Sequence, residues 1–141
     1  MSLPMKLEIN GNSVEDNLTE ESLDQHVRAF AEGESGSFII LSSGAQQYVQ
    51  AFKNSDGSFE LERREGSEAE HWVCSDTYIS VDRLRFAFKS YLQGLPSWPE
   101  QLSWVRFGEH RDGTSGARLW LVAFVVAAVL ALVWFATEGR G

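Results

Sequence analysis

Residues 38–65 read FIILSSGAQQYVQAFKNSDGSFELERRE, and this stretch decides the fold. Its first segment, FIILS, is apolar at successive positions, which is typical of a central strand buried on both faces. The segments QYVQAF and SFELERR follow, and KNSDGS joins them. The Asp56–Gly57 pair between two strand-like runs predicts a hairpin. Because hairpin strands are antiparallel, the stretch predicts the centre of an antiparallel sheet.

The flanking segments add further strands and two helices. MKLEIN (residues 5–10) alternates apolar and polar side chains, which predicts a half-buried strand. HWVCS and LSWVRF predict one more strand and a short closing strand. Two amphipathic helices are expected, one capped by Asn17 with Glu20 three residues on, the other capped by Ser80. This order predicts an α+β fold: an antiparallel sheet of about five to six strands with two helices on one face.

Residues 119–136, LWLVAFVVAAVLALVWFA, carry no charged side chain. Eighteen helical residues span about 27 Å, close to the roughly 30 Å of bilayer hydrocarbon. Trp120 and Trp134 suit the two membrane interfaces, and Arg118 precedes the run. A buried core helix is the alternative, but such a helix usually shows a polar stripe, and this run is apolar all round. The sequence therefore predicts a C-terminal transmembrane helix.

The apolar run defines the expected organisation of the chain. Residues 1–107 form a soluble α+β domain, and residues 108–118, rich in glycine and polar side chains, form a flexible juxtamembrane linker. Residues 119–136 cross the bilayer, and residues 137–141 are a short tail. We expect no signal peptide, because the N-terminus has no long apolar segment. The layout is that of a single-pass, tail-anchored protein.

Basic residues at the two ends of the run predict its orientation. Arg106, Arg111 and Arg118 precede it, whereas only Arg140 follows it. The positive-inside rule therefore places the N-terminal domain in the cytoplasm, on the inner (cytoplasmic) membrane.

Alanines recur along the same run at intervals of four. Ala123, Ala127 and Ala131 would form one ridge of small residues, which allows two helices to approach closely. The ridge either supports a homodimer through the anchor or is an accident of an alanine-rich helix.

The charge is unevenly distributed. The chain has a formal net charge of −8; its first seventy residues carry fourteen acidic and five basic side chains. Nucleic-acid binding needs clustered Lys and Arg, so this balance excludes a nucleic-acid partner. It favours a protein partner that is basic.

Catalytic and metal-binding motifs are not found. Cys74 and His71 are the most reactive-looking neighbours, but alternation along a strand places them on opposite faces. No histidine has a partner at the spacing of a zinc site. We expect no metal, no cofactor and no enzymatic activity.

The acidic hairpin is the candidate recognition surface. We predict Gln50, Glu60, Glu62 and Glu65 as partner-binding residues. The alternative interpretation is a strand face that is simply solvated.

The same hairpin region resembles a group of small bacterial α+β proteins, the immunity-type proteins of polymorphic toxin systems. The positions that carry the resemblance, within residues 5–107, are Leu41, Tyr48, Gln50, Phe59, Leu61, Glu62, Gly66 and Ser67. The resemblance implies binding and occlusion of a toxin without catalysis. Two functions therefore stand side by side. One is a membrane-tethered protein-binding module. The other is a scaffolding or assembly subunit of a membrane complex that acts through its anchor helix.

Overall fold

The computed structural model describes residues 5–15 and 17–107. Its elements are β1 (Lys6–Ile9), β2 (Asn12–Glu15), α1 (Glu20–Glu32), β3 (Phe38–Gly44), β4 (Gln47–Lys53), β5 (Phe59–Glu65), β6 (His71–Cys74), α2 (Val81–Leu92) and β7 (Trp104–Arg106). Short 3-10 turns cover Glu68–Glu70 and Trp98–Gln101. The predicted linker, membrane helix and tail lie outside the described residues. Within the described ranges, no helix is long and apolar enough to cross a membrane.

One antiparallel sheet carries all seven strands, in the order β2-β1-β3-β4-β5-β6-β7. From β3 onward, strands that follow one another in the chain are neighbours in the sheet, and the Asp56–Gly57 turn joins β4 to β5 as predicted. The predicted α+β class, the antiparallel sheet and the two helices are confirmed. The predicted number of strands is wrong, because the sheet has seven.

The strand missing from the prediction is β2, at one edge of the sheet. It pairs with β1 through a two-residue turn, so that Ile9 lies opposite Asn12. Asn10 and Gly11 occupy this turn with φ angles of 51° and 81°, the positive values that a type I′ hairpin needs. The Asn-Gly pair was the available signal. The strand itself was not predicted from NSVE, because a segment with a single apolar residue shows almost no alternation of apolar and polar side chains.

The two faces of the sheet have different chemistry. We call the face that contains Leu7, Leu41, Val49 and Leu61 the helix face. These residues share one apolar cluster with the buried side chains of both helices, namely Leu23, Val27, Phe30, Leu84, Ala87 and Phe88. Because both helices bury their apolar stripes in this cluster, they lie on one face of the sheet. We call the opposite face, which carries Glu8, Ile40, Gln50 and Glu62, the polar face.

Strand β3 contributes to both faces. Ile39, Ile40 and Leu41 are each 0% exposed, so both alternations of this strand are buried as predicted. Ile39 and Leu41 belong to the apolar cluster shared with the helices and help to hold the sheet to them, whereas Ile40 is buried on the polar face.

Of the two predicted helix caps, the one of α1 is wrong and the one of α2 is confirmed. Asn17 does not cap α1. Thr19 does, by accepting a hydrogen bond from the Ser22 backbone N–H while the Ser22 hydroxyl accepts from that of Thr19. A cap two residues later places the capping box on Thr-x-x-Ser rather than Asn-x-x-Glu. Ser80 caps α2 as predicted, accepting from the backbone N–H of Arg83 at 3.2 Å.

The β4–β5 hairpin turns where the sequence predicted. Gly57 has a φ of 85°, and its N–H donates to the Asn54 carbonyl at 3.0 Å. The Asp56 carboxylate accepts from the Ser58 backbone N–H, also at 3.0 Å. This turn fixes the register of β4 and β5, and the register decides which polar side chains meet across them.

Candidate functional site

The polar face carries a row of directly opposed residues across the sheet. The row consists of Glu8, Ile40, Gln50, Glu62, Val73 and Val105, one from each strand between β1 and β7. Gln50 and Glu62 are the central pair of this row. The register set by the Gly57 turn therefore brings together two of the four residues predicted to bind a partner.

Gln50 and Glu62 are buried and hydrogen-bonded to each other. Each is 1% exposed. The Gln50 Nε2 amide donates to Glu62 Oε2 at 2.5 Å. A hydrogen bond to an ionised carboxylate contributes roughly 1.5–3 kcal/mol. The pair is therefore part of the structure of the domain as well as a candidate site.

His71 and Arg64 extend this pair into a network. The His71 Nε2 lies 2.9 Å from Glu62 Oε2, and the Arg64 Nη2 lies 3.2 Å from His71 Nδ1. A guanidinium has only donors, so His71 Nδ1 accepts a hydrogen bond from Arg64. The other ring nitrogen, Nε2, then carries the hydrogen and donates to Glu62 Oε2. This arrangement fits a neutral His71 between a cation and a carboxylate. Both nitrogens of this ring, which is 2% exposed, therefore have a hydrogen-bond partner.

Aromatic rings lie around the network. The His71 ring stacks on Phe107 with centroids 4.5 Å apart and an interplanar angle of 8°. The Tyr48 ring meets His71 edge-on at 6.4 Å, and the Arg64 guanidinium lies 5.6 Å from the Tyr48 ring centroid. These contacts hold the imidazole in one orientation. They also lower the local dielectric, which strengthens every polar interaction in the network.

Two oxygens of the network accept no hydrogen bond from the described residues. Glu62 Oε1 and Gln50 Oε1 are both buried, and neither has a hydrogen-bond partner in the part of the chain that the structure describes. A buried acceptor without a donor costs about 1–3 kcal/mol, and more when it is charged. Unmet polar atoms of this kind are rare in native folds, and an ordered water, an ion or a group of a binding partner usually supplies the missing hydrogen bond.

The four predicted partner-binding residues do not form one surface. Glu60 lies on the polar face, one pair along from Glu62, and is half-buried. Glu65 lies on the opposite side of its strand and contacts Arg63. The alternative of a solvated strand face is wrong for Gln50 and Glu62, since both are buried. The residues proposed for the anchor, Arg118, Trp120, Ala123, Ala127, Ala131 and Trp134, lie outside the described residues.

The network has little capacity for acid–base chemistry. Both nitrogens of His71 are engaged within the domain, so no ring nitrogen faces a substrate proton. Burial raises the pKa of Tyr48 to about 12, which keeps its phenol protonated at neutral pH. The arrangement can bind a donor at its unpartnered oxygens.

Cys74 lies away from this network, on the helix face beside the apolar cluster. Its separation from His71 confirms the alternation predicted for this strand. Burial raises the pKa of the Cys74 thiol to about 11, so the thiolate that a nucleophile requires is scarce at neutral pH. Between residues 5 and 107, no group of three or more His, Cys, Asp or Glu side chains among those described could hold a metal ion.

A cavity that reaches Arg64 of the network and a groove between the helices are further concave regions of the domain. The cavity of about 240 Å³ near the C-terminal end of α2 is lined by Met5, Leu95 and Trp98 and by Tyr91, whose hydroxyl is 3.1 Å from that of Ser43. It is smaller than the roughly 300–1,000 Å³ of most ligand sites. A groove of about 490 Å³ runs between the two helices.

The groove between the helices is highly charged. Three of the four acidic side chains that line it are paired with its two bases: Arg85 contacts Asp82 and lies with its Nε 2.6 Å from Asp24, and Lys89 Nζ lies 3.4 Å from Glu20. The Arg85 guanidinium holds the pKa of Asp24 below its usual value. Because both bases and three of the four carboxylates in the groove are already paired, it offers less unmet bonding capacity than the polar face.

Sequence reasoning missed the roles of His71 and Arg64. It considered Cys74 as a partner of His71, rejected that pair on strand alternation, and named no other, whereas the actual partners of His71 lie on the adjacent strand. The signal was present in the hairpin. Counting outward from Asp56–Gly57 places Gln50 opposite Glu62, and the next strand then brings a histidine beside them.

Comparison with known proteins adds no relative: no family model, no curated protein and no solved structure matches the chain.

Proposed function

We propose that this chain is a non-catalytic protein-binding module, tethered to the inner face of the cytoplasmic membrane. The observation that carries this proposal is the polar face, where Glu62 and Gln50 are buried, ordered by His71, and still hold unpartnered oxygens. Both nitrogens of His71 are occupied within the network. Such a site can recognise a donor on a partner, but it lacks a group poised to transfer a proton.

The tether of the proposal is the apolar run of residues 119–136. Its length matches the bilayer, and the excess of arginines before it favours a cytoplasmic domain. The partner of the proposal is a protein, and the resemblance to immunity-type proteins makes a toxin the most concrete candidate. A net charge of −8 would speed association with a basic partner, and added salt would slow it.

Membrane attachment is tested first. Membranes from cells that express the full chain are extracted with alkaline carbonate, and separate sealed vesicles of either orientation are treated with protease. The proposal expects the chain to stay in the pellet and its N-terminal domain to be cleaved only from the cytoplasmic side. Release of the chain by carbonate would refute the tether.

Partner binding is tested by exchanging the anchor. Residues 119–136 are replaced by an unrelated apolar helix of equal length, and partners are cross-linked in intact membranes and identified. A binding module keeps its partner after this exchange. If the partner is a toxin, both forms of the chain also restore growth to cells that produce it.

The second candidate function is a scaffolding or assembly subunit that acts through its anchor. The repeated alanines at 123, 127 and 131 favour it, because small residues at intervals of four allow close helix packing. In this case the anchor exchange abolishes the association, while substitutions on the polar face leave it unchanged. The same experiment therefore separates the two functions.

A further inference from the structure

The two unpartnered oxygens of the polar face require a hydrogen-bond donor. Gln50 Nε2 and His71 Nε2 both donate to the other oxygen of Glu62, Oε2, which leaves Oε1 without a donor in the described chain. Gln50 Oε1 is also without a donor in the described chain. Because the two residues are directly opposed across β4 and β5, both acceptors lie on one face of one cross-strand pair.

Cationic side chains nearby on this face are already committed. The Lys6 ammonium pairs with Glu8 at 3.0 Å. The Arg64 Nη1 donates to Gln46 at 2.7 Å, and its Nη2 lies against His71. The Lys6 ammonium and both terminal nitrogens of Arg64 therefore already have partners, and neither cation donates to Glu62 Oε1.

The charge and geometry of the site select the donor. Glu62 contributes a carboxylate and Gln50 a neutral carbonyl, so the best-matched ligand is cationic and carries at least two N–H groups. A guanidinium has five donors in a rigid planar fork and is more weakly hydrated than an ammonium, which makes it suitable for a site removed from water. The apolar cluster fills the opposite side of the sheet, so a partner reaches the pair from the polar face, where side chains that leave Gln50 and Glu62 only 1% exposed must move aside.

We propose that Glu62 and Gln50 form the seat of one arginine side chain of the protein partner. This assignment rests on the proposed function and specifies its chemistry: the basic partner inserts a guanidinium that donates to Glu62 Oε1 and Gln50 Oε1. Arg64 Nε is a buried donor one pair along the same face, without a partner in the described chain. It is available to a backbone carbonyl of the inserted segment.

The test compares two peptides of nearly the same shape, of which only one carries the charge and the full set of N–H donors of a guanidinium. The full chain in detergent micelles is titrated with an acetylated Gly-Arg-Gly amide and with the same peptide containing citrulline, which has the shape of arginine without its charge. Binding is followed by NMR through the side-chain amide of Gln50 and the ring of His71. We expect the arginine peptide to bind about tenfold more tightly, as one additional charge-assisted hydrogen bond predicts.

Substitutions then locate the effect. Glu62→Gln retains the shape of the side chain and should abolish the preference for arginine. Gln50→Met retains the carboxylate and should reduce the preference to about threefold, since one neutral acceptor is lost. Asp82→Asn is the matched control: it removes one negative charge from a side chain that is 89% exposed on α2, and it should leave the preference unchanged. The unfolding midpoint of each variant establishes that it is folded.

The outcomes separate this inference from the proposed function. Equal binding of the two peptides by the native chain overturns the arginine seat. An equal loss in Asp82→Asn and Glu62→Gln also overturns it, because overall charge would then be responsible. If a cross-linked partner is captured while the peptides are not distinguished, the binding module stands and the seat falls. If the peptides are distinguished at Glu62 and no partner is captured, the seat stands and the proposed function falls.

Discussion

The helix face and the polar face are buried to the same degree, but by opposite means. Leu61 on the helix face and Glu62, the next residue along the strand, are 0% and 1% exposed. Leu61 is surrounded by apolar side chains and needs nothing more. Glu62 needs a donor for each oxygen, and the described chain supplies donors for only one. Burial alone therefore does not distinguish a core from a site; the balance of donors and acceptors does.

Leu61→Ala should have the largest effect on stability. Leu61 is fully buried in the apolar cluster, so its truncation loses transfer free energy and leaves a cavity. We expect a loss of about 3 kcal/mol in the free energy of unfolding, measured by urea denaturation of the full chain. Leu95→Ala, at a side chain 45% exposed, is the control and should cost well under about 1 kcal/mol. Equal losses would contradict the distinction between these positions.

Cys74 tests the helix face by its chemistry. Burial raises the pKa of its thiol from about 9 to about 11, which lowers the thiolate fraction about a hundredfold at neutral pH. Alkylation by iodoacetamide should therefore be about a hundredfold slower than that of a small free thiol, and it should approach the free rate in urea. Rapid alkylation of the folded chain would show that the thiol is not buried.

Glu62→Met tests the polar face. The substitution strands two donors, Gln50 Nε2 and His71 Nε2, while it removes an unpartnered oxygen. These effects oppose each other, and we expect a net loss of about 1–2 kcal/mol in the free energy of unfolding. Adding Gln50→Leu to the same chain removes a stranded donor and should restore about 1 kcal/mol. Additive losses in the double variant would mean that the two residues are not coupled.

The ion pair on the helices should show the smallest effect. The Arg85 hydrogen bond lowers the pKa of Asp24, so its stabilisation is complete above the pKa of the unfolded chain, near 3.9. It is lost as the pH falls through the folded pKa. We expect Asp24→Asn to cost about 0.5 kcal/mol at pH 6, and this difference from the native chain should shrink below pH 4. Glu32→Gln, at the exposed end of α1, is the control and should show no such change.

Local signals predicted the elements of this fold well where one interaction dominates. The Asp56–Gly57 turn and the Ser80 cap follow from short-range chemistry, and both are confirmed. The N-terminal cap of α1 was missed because three residue types that cap helices, Asp16, Asn17 and Thr19, lie within four positions. The strand β2 was missed because it has only one apolar residue. The site was only half predicted. Gln50 and Glu62 were chosen as surface residues, and their meeting with His71 needed the register of three strands.

By itself, the sequence determined the α+β class, the antiparallel hairpins, the amphipathic stripes of both helices and the acidic balance of the chain. These follow from periodicity, turn chemistry and charge, which are properties of neighbouring residues. The tertiary structure alone decided that Glu62 is buried, that His71 donates to it rather than serving Cys74, and that two oxygens remain without donors. Those facts depend on strand register and on what covers each side chain, and residues far apart in the chain determine both.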